Sequence, residues 1–356
     1  MRTLANLAIT GGAGFIGSNF IHYLFSLTDF NGKVINIDKL TYAGNPDSLI
    51  EIEERFGGSR YFFEKKDICD FGSLKEIYQK YSIDTVVHFA AESHVDRSIF
   101  GPKEFILTNI VGTFNLLESA RLLWQERTDV LFHHVSTDEV FGSLGSTGLF
   151  TETTPYNPTN PYSASKASSD HLVRAYYHTY SLPVTISNCS NNFGPRQFPE
   201  KMIPLMILNL LEEKPLPVYG DGKNIRDWLY VDDHSSALWM ILNHGKAGQT
   251  YNIGGENEWK NIDLVRLLCE KVAAVKGKEP SDYERLITYV KDRPGHDFRY
   301  AIDCSKIKNE LGWKQQQDFS KNLDKTIEWY SNNIHWVQKI RSGDYKNWVA
   351  KNYLNR

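Results

Sequence analysis

Seven residues near the start of the chain, Gly11-Gly12-Ala13-Gly14-Phe15-Ile16-Gly17, restrict the fold more than any other stretch. They follow the apolar run Leu7-Ala8-Ile9-Thr10 and precede a helical pattern carried by Phe20, Ile21, Leu24 and Phe25. Strand, glycine turn and helix together form the opening unit of a doubly wound α/β sheet. The three spaced glycines have separate uses: Gly11 for a tight turn, Gly14 for close approach of backbone to a pyrophosphate, and Gly17 for helix–strand packing. The helix N-terminus adds unpaired amides that favour phosphate. A second strand pattern over 33–37 ends in Asp38, 21 residues after Gly17. A carboxylate there accepts from a ribose diol and repels a 2′-phosphate, so the expected cofactor is NAD rather than NADP. The plainer reading of Asp38 is a loop cap.

Strand and helix patterns then alternate. A strand over 61–64 ends near Asp67 and Ile68, a plausible adenine contact, and a helix covers 73–81. The continuous apolar run 85–89 reads as a buried parallel strand. Ala90 and Ala91 follow it, small enough for a cofactor to lie over the strand end. A long helix is expected over 105–125, a strand over 130–135, a helix over 162–180 begun by Pro161, and a strand over 184–188. Beyond Asn191, prolines at 195, 199, 204, 215 and 217 interrupt the alternation. The expected architecture is α/β: a Rossmann-type doubly wound parallel sheet over 1–190, with segments near 225–255 returning to it. A smaller α/β substrate-binding domain takes 191–356, with short helices at 264–275 and 323–331.

The totals narrow the class. A net charge of −3 over 356 residues argues against a nucleic-acid or membrane-surface role, and no apolar run is long enough to span a bilayer. The N-terminus enters a strand pattern without a cleavable signal. Cys69, Cys189, Cys269 and Cys304 are scattered and form no Cys-x-x-Cys pair, which suits buried reduced thiols in a cytoplasmic protein. His133 and His134 are neighbours on a strand and point to opposite faces, so no metal site is expected.

The chemistry gathers where a strand ends in Ser136-Thr137-Asp138-Glu139 and a helix begins with Tyr162-Ser163-Ala164-Ser165-Lys166. Tyr162 and Lys166 are four apart and share a helix face. A phenol has a pKa near 10, and the ammonium together with the positive nicotinamide ring favours phenolate. Lowering the phenol by about three pH units takes roughly 4 kcal/mol. Such a phenolate takes a hydroxyl proton as hydride leaves the same carbon, with Thr137 hydrogen-bonding that hydroxyl. Asp138 and Glu139, alone, read as a helix cap or a solvated pair. Beside a phenol and a lysine they suit one acid and one base in opposite protonation states. A sugar oxidised at carbon 4 has an acidified proton at carbon 5, and a base and an acid there complete a loss of water. An epimerase on a related sugar nucleotide and a catalytically silent NAD-binding regulator remain open on the residues alone.

Over nearly its whole length the sequence strongly resembles the dTDP-glucose 4,6-dehydratases of the extended short-chain dehydrogenase/reductase family. The resemblance rests on the glycine loop 10–19, on Asp38-Lys39-Leu40-Thr41-Tyr42-Ala43-Gly44-Asn45, and on Ala90-Ala91-Glu92-Ser93-His94-Val95-Asp96-Arg97-Ser98. It continues through Ser136–Val140, Pro161–Lys166, Asn188–Asn192 and Arg226-Asp227-Trp228. The Thr-Asp-Glu run discriminates, because nucleotide-sugar 4-epimerases share the glycine loop and the Tyr/Lys pair without it. Phe141 stands where the family pattern has Tyr. The resemblance implies dehydration of dTDP-glucose to the 4-keto-6-deoxy sugar nucleotide by a homodimer. Tyr162 is then the carbon-4 base, Asp138 the acid and Glu139 the base of elimination. It implies cofactor contacts from Gly11, Gly14, Phe15, Ile16, Gly17, Asp38, Lys39, Leu40, Thr41, Gly44, Asp67, Ile68, Phe89, Ala90, Ala91, Ser93, Thr108, Ser136, Tyr162, Lys166 and Asn192. The sugar nucleotide is expected against Ser93, His94, Thr137, Asn191, Glu200, Lys201, Met202, Pro217, Tyr219, Arg226, Asn261, Arg293, His296 and Tyr300. On the residues alone, Asp292-Arg293-Pro294-Gly295-His296 reads equally well as a turn.

Overall fold

The structure, a computed structural model, describes residues 2, 4–125, 127–292, 295–316 and 318–341. Its frame is a parallel sheet built by β1 (Asn6–Thr10), β2 (Lys33–Ile37), β3 (Tyr61–Glu64), β4 (Thr85–His88), β5 (Leu131–Thr137), β6 (Val184–Cys189) and β10 (Thr250–Ile253). The strand order is β10-β6-β5-β4-β1-β2-β3, and the neighbouring strands pair in parallel. β4, β5 and β6 are buried along their whole lengths, as expected for strands covered on both faces.

Alternation along β1 assigns Leu7 and Ile9 to one core and Ala8 to the other. The first core is closed by the helices Phe15–Ser26 and Val231–His244, the second by Phe71–Tyr81, Thr113–Trp124 and Pro161–Tyr180. A third core lies between the helices Met202–Leu211, Asn261–Lys276 and Phe319–Asn332. Beside it, β7 (Asn191–Phe193), β9 (Ile225–Tyr230) and β11 (Glu258–Lys260) form one small sheet. β8 (Leu216–Tyr219) and β12 (Ile287–Val290) form another. Of the residues expected to return to the large sheet, β10 does so and Val231–His244 packs on Phe15–Ser26, whereas β9 stays with the small sheet.

Several expected boundaries change. The helix expected over 105–125 is α-helical only in part: Ile106–Gly112 is a π-helix leading into Thr113–Trp124. There Asn109 turns inward, exchanging hydrogen bonds with the Glu92 backbone (2.9 and 3.0 Å) and donating to Ser165 Oγ (2.8 Å). The strand expected to stop at Val135 runs on through Thr137, because Ser136 and Thr137 pair with Asn188 and Cys189 of β6. The two short C-terminal helices are longer than expected, at Asn261–Lys276 and Phe319–Asn332. Cys189, Cys269 and Cys304 are buried free thiols, but Cys69 is only half-buried.

Candidate active site

The strand order reverses between β1 and β4, and the carboxyl ends there open into a cavity of about 410 Å³. Ligands of open α/β sheets bind at such a point. Gly11 lies on its floor with φ +70°, and a Cβ there would come within 2.7 Å of the Ala90 backbone. A Cβ on Gly17 would meet the Gly11 carbonyl oxygen at 2.4 Å. Gly14 is the N-cap of Phe15–Ser26, a helix with neither a side-chain cap nor an acidic residue in its first turn. Its first amides are left for an anion. Gly11, Gly14 and Gly17 therefore form a cradle fitted to a dinucleotide pyrophosphate.

The Asp38 carboxylate caps the loop, accepting from Ala13 N at 3.0 Å and Leu40 N at 2.8 Å, and it also lines the cavity. Lys39 pairs with Asp67 at 3.3 Å. Phe15, Ile16, Thr41, Gly44, Ile68, Phe89, Ala90, Ala91, Ser93 and Asn192 line the same cavity. Thr108 lines it too, and its buried hydroxyl has no hydrogen-bond partner among the described residues. Leu40 is not in the lining; it takes a left-handed φ of 60° so that its amide turns to Asp38. Ser136 reaches the lining, but its hydroxyl donates to Asp170 at 2.8 Å.

Tyr162 and Lys166 project from the helix Pro161–Tyr180. Asn160 accepts from Ser163 N (2.9 Å) and Ser163 Oγ accepts from Asn160 N (3.2 Å), a reciprocal cap that starts this helix, with Pro161 at its first position. Thr137 ends β5, and Asp138 opens a single 3₁₀ turn, Asp138–Phe141. The Thr137 hydroxyl accepts from Glu139 N and donates to Asp138 Oδ1, each at 3.3 Å. All five of Thr137, Asp138, Glu139, Tyr162 and Lys166 line the cavity.

Burial is the largest influence at both the Asp138 carboxyl and the Tyr162 phenol. Burial, then Glu139 and Asp227, push Asp138 well above the usual carboxylate range, as a proton donor needs. The lowering expected at Tyr162 draws on Lys166 and a positive nicotinamide ring; the other groups around it, burial first and Glu139 second, push it well above 10, and among the leading influences only the Thr137 hydroxyl acts the other way. The reason is that Tyr162 is 8% exposed and faces carboxylates. Lys166 is also buried, which lowers it to about 8 against the raising effect of Asp170. Its ammonium donates to the Val135 carbonyl at 2.9 Å and lies 3.4 Å from His134 Nε2.

The other half of the cavity is lined by His94, Asn191, Glu200, Lys201, Met202, Pro217, Tyr219, Arg226, Asn261 and His296. Asn191 and Asn261 each keep a buried side-chain oxygen without a hydrogen-bond partner among the described residues. Arg226 donates to the carbonyls of Ile225 and Asp297. His296 pairs with Asp292 at 2.6 Å. Tyr300 is not in the lining: it is buried beneath Arg226, 4.3 Å from the guanidinium, and donates to Asp297. Arg293 lies outside the described residues.

Sequence reasoning missed a cluster that closes one wall. The Arg97 guanidinium stacks 3.6 Å over the Tyr42 ring and pairs with Glu200 at 3.1 Å, while Tyr42 meets Phe198 edge-on. Tyr42 and Arg97 sit inside the stretches 38–45 and 90–98, but only the fold brings the Tyr42 loop against the helix Val95–Phe100.

Comparison with known proteins agrees with this geometry. Residues 8–326 match the family model described as GDP-mannose 4,6 dehydratase. The dTDP-glucose 4,6-dehydratase of Salmonella typhimurium is 54% identical over 364 aligned positions, covering 98% of this chain and 99% of the relative. That of Neisseria meningitidis is 54% identical, covering 96% and 98%. Among solved structures, the dTDP-glucose 4,6-dehydratase DesIV of Streptomyces venezuelae, with NAD and TYD bound, matches at a TM-score of 0.85 and 43% identity, covering 94% of this chain and 99% of that one. A UDP-glucose 4-epimerase from Thermotoga maritima shares the fold at a TM-score of 0.81 but only 26% of its residues, covering 92% and 99%. Shape alone hardly separates the two activities, whereas identity does, and the chain belongs to the GDP-mannose 4,6 dehydratase family, among its dTDP-glucose 4,6-dehydratases.

Proposed function

We propose that this protein converts dTDP-glucose to dTDP-4-keto-6-deoxyglucose by transient oxidation at carbon 4, loss of water across carbons 5 and 6, and hydride return to carbon 6. The observation that carries this reading is the meeting of Thr137, Asp138, Glu139 and Tyr162 in one cavity beside a pyrophosphate cradle. NAD, held by the glycine cradle and Asp38, supplies the hydride acceptor and a positive ring that lowers the phenol. Tyr162 takes the carbon-4 hydroxyl proton, while Thr137 orients that hydroxyl. Lys166, anchored on the Val135 carbonyl, adds positive charge on the same helix face. Glu139 removes the proton from carbon 5. Asp138, buried and held in its acid form, protonates the departing carbon-6 hydroxyl. Hydride moved back to the same sugar makes the sum redox-neutral.

The sugar nucleotide lies against His94, Asn191, Glu200, Lys201, Met202, Pro217, Tyr219, Arg226, Asn261 and His296 in this reading. The proposed domains are a NAD-binding unit over 1–190, joined by later residues including β10, and a sugar-nucleotide unit over 191–356. The assembly proposed is a homodimer, supported by the exposed Ile106, Leu107, Val111 and Phe114 along one helical run. A cytoplasmic location accompanies it, supported by four free cysteines. No described helix is long and apolar enough to cross a membrane.

A panel of dTDP-, UDP- and GDP-glucose, read for 4-keto-6-deoxy sugar, tests the proposal. Keto sugar from dTDP-glucose supports it; a galacto product without water loss, or no product, overturns it. Thymine and uracil differ by one methyl, worth roughly 1–3 kcal/mol, so UDP-glucose is expected as a slower substrate.

A further inference from the structure

Counting protons over the proposed reaction shows that one turnover leaves the enzyme in a different state from its starting one. Oxidation gives the carbon-4 hydroxyl proton to Tyr162, and the product keeps a ketone there, so that proton is not taken back. Departure of the carbon-6 hydroxyl as water consumes the proton of Asp138. Glu139 lifts one proton from carbon 5 and, after exchange with solvent, gives one back to carbon 5, so Glu139 ends as it began. Tyr162 then carries one proton too many and Asp138 one too few, and both must be restored before the next substrate reacts.

Neither group meets solvent easily: Asp138 is 1% exposed and Tyr162 8%. One hydroxyl connects them. Thr137 Oγ1 lies 3.3 Å from Asp138 Oδ1, the Glu139 amide at 3.3 Å fixes it in place, and it lines the same cavity as the Tyr162 phenol, whose charged form it favours. A hydroxyl has one proton to donate and lone pairs to accept with. In the reset enzyme, before a sugar hydroxyl engages Thr137, Asp138 donates to Thr137 and Thr137 donates to the phenolate. After reaction, the phenol donates to Thr137 and Thr137 donates to the carboxylate. Both arrangements satisfy the three groups, and shifting two protons converts one into the other.

We infer that the Thr137 hydroxyl is the relay that resets the enzyme, passing its own proton to Asp138 as it takes the phenol proton of Tyr162. An O–H bond breaks at Tyr162 and one forms at Asp138; Thr137 loses one proton and gains one, and no electrons enter or leave. Phenolate is again the favoured form of Tyr162 once hydride has returned and the cofactor is cationic, so the relay runs toward Asp138 at that stage. Glu139 and Asp227 facing Asp138 favour its protonation, and Arg226 opposes them. The inference rests on the dehydratase reading, since an epimerase returns the tyrosine proton to the carbon-4 oxygen within the same turnover and needs no reset.

Rapid-quench kinetics of the NAD-loaded enzyme with excess dTDP-glucose separates the first turnover from later ones. Thr137→Val keeps the shape and removes the hydroxyl. Its first turnover is expected to slow severalfold, for want of a hydrogen bond to the sugar hydroxyl, and its later turnovers by roughly 100-fold, the scale of a lost proton-transfer group. Product then appears as a burst of about one per site, and Thr137→Ser restores later turnovers. Thr137→Ala carries the same expectation should valine disturb β5. Infrared difference spectra give a second readout: the protonated carboxyl band absent from Asp138→Asn disappears after one turnover of the valine variant and returns slowly. Equal slowing of first and later turnovers, or band recovery as fast as in the unsubstituted enzyme, overturns the relay alone. No keto sugar from the unsubstituted enzyme overturns the dehydratase reading and the relay with it.

Discussion

Asp170 lies one turn beyond Lys166 on the helix Pro161–Tyr180, fully buried and away from the cavity lining. Burial opposes its charge, yet His134, Lys166 and Tyr156 together hold it below the usual carboxylate range. Its Oδ2 accepts from Tyr156 at 2.7 Å and Ser136 at 2.8 Å, and its Oδ1 lies 3.1 Å from His134 Nε2. That same imidazole nitrogen is 3.4 Å from the Lys166 ammonium. Asp170 is therefore the buried countercharge that keeps Lys166 protonated. Asp170→Asn preserves the shape and removes the charge. Two unit charges roughly 6–7 Å apart, at an effective dielectric near 20, interact by about 2.5 kcal/mol. That equals about two pH units. Lys166, now at about 8, falls toward ~6. Because the cationic form is the useful one, the lowered pKa moves the basic limb of the kcat/KM profile down. Activity near pH 7.5 drops by roughly 25-fold, while activity near pH 5.5 is largely kept. Initial rates of keto-sugar formation across pH, with circular dichroism to confirm folding, measure this. Loss by one factor at every pH, with the basic limb unmoved, would refute the countercharge argument.

Three further outcomes follow from particular contacts. Glu139→Gln removes the carbon-5 base: dehydration falls by roughly 10²–10⁴-fold, whereas oxidation at carbon 4 persists and is read as transient NADH absorbance; equal loss of both contradicts the assignment. Gly17→Ala pushes a methyl to 2.4 Å from the Gly11 carbonyl and opens the cradle, so the purified protein should carry less NAD by its absorbance spectrum; full NAD content contradicts the cradle. His133, buried between Thr185 and Ser187, is lowered to about 3. The unfolded chain binds this proton below about pH 6.5 and the folded one does not, so stability is complete above that value and is lost as pH falls toward 3. His133→Gln should flatten the slope of unfolding free energy between pH 4 and 6 by about 1.4 kcal/mol per pH unit; an unchanged slope shows that His133 is not neutral in the fold.

The parts legible in the sequence are those set by local pattern. Apolar runs and glycine turns placed β2 and β3 with their observed boundaries and β1, β4 and β6 to within one residue, and Pro161 marked the start of its helix. The π-helix at Ile106–Gly112 accompanies contacts that no local pattern records: Asn109 turns in to meet Glu92 and Ser165. The extension of β5 through Thr137 depends on β6 running alongside, which polar Ser136 and Thr137 do not announce. At Tyr162 the charge neighbours can be read from spacing, whereas the depth of burial that raises its pKa cannot. Leu40 falls inside a matching stretch and the resemblance implies Tyr300, yet the Leu40 backbone amide serves the loop at Asp38 and the Tyr300 ring packs under Arg226. The Tyr42–Arg97–Glu200 wall joins two loops and the short helix Val95–Phe100, far apart in sequence, and no pattern within any one of them records the meeting.

The central claim is that hydrogen moves from carbon 4 to carbon 6 of one sugar while carbon 5 exchanges with solvent through Glu139. Incubating the enzyme in deuterated water with dTDP-glucose carrying tritium at carbon 4 tests both halves at once. The account predicts tritium at carbon 6 and solvent deuterium at carbon 5 of the product. Solvent label entering carbon 6 as the new hydrogen, or tritium retained at carbon 4, would contradict it.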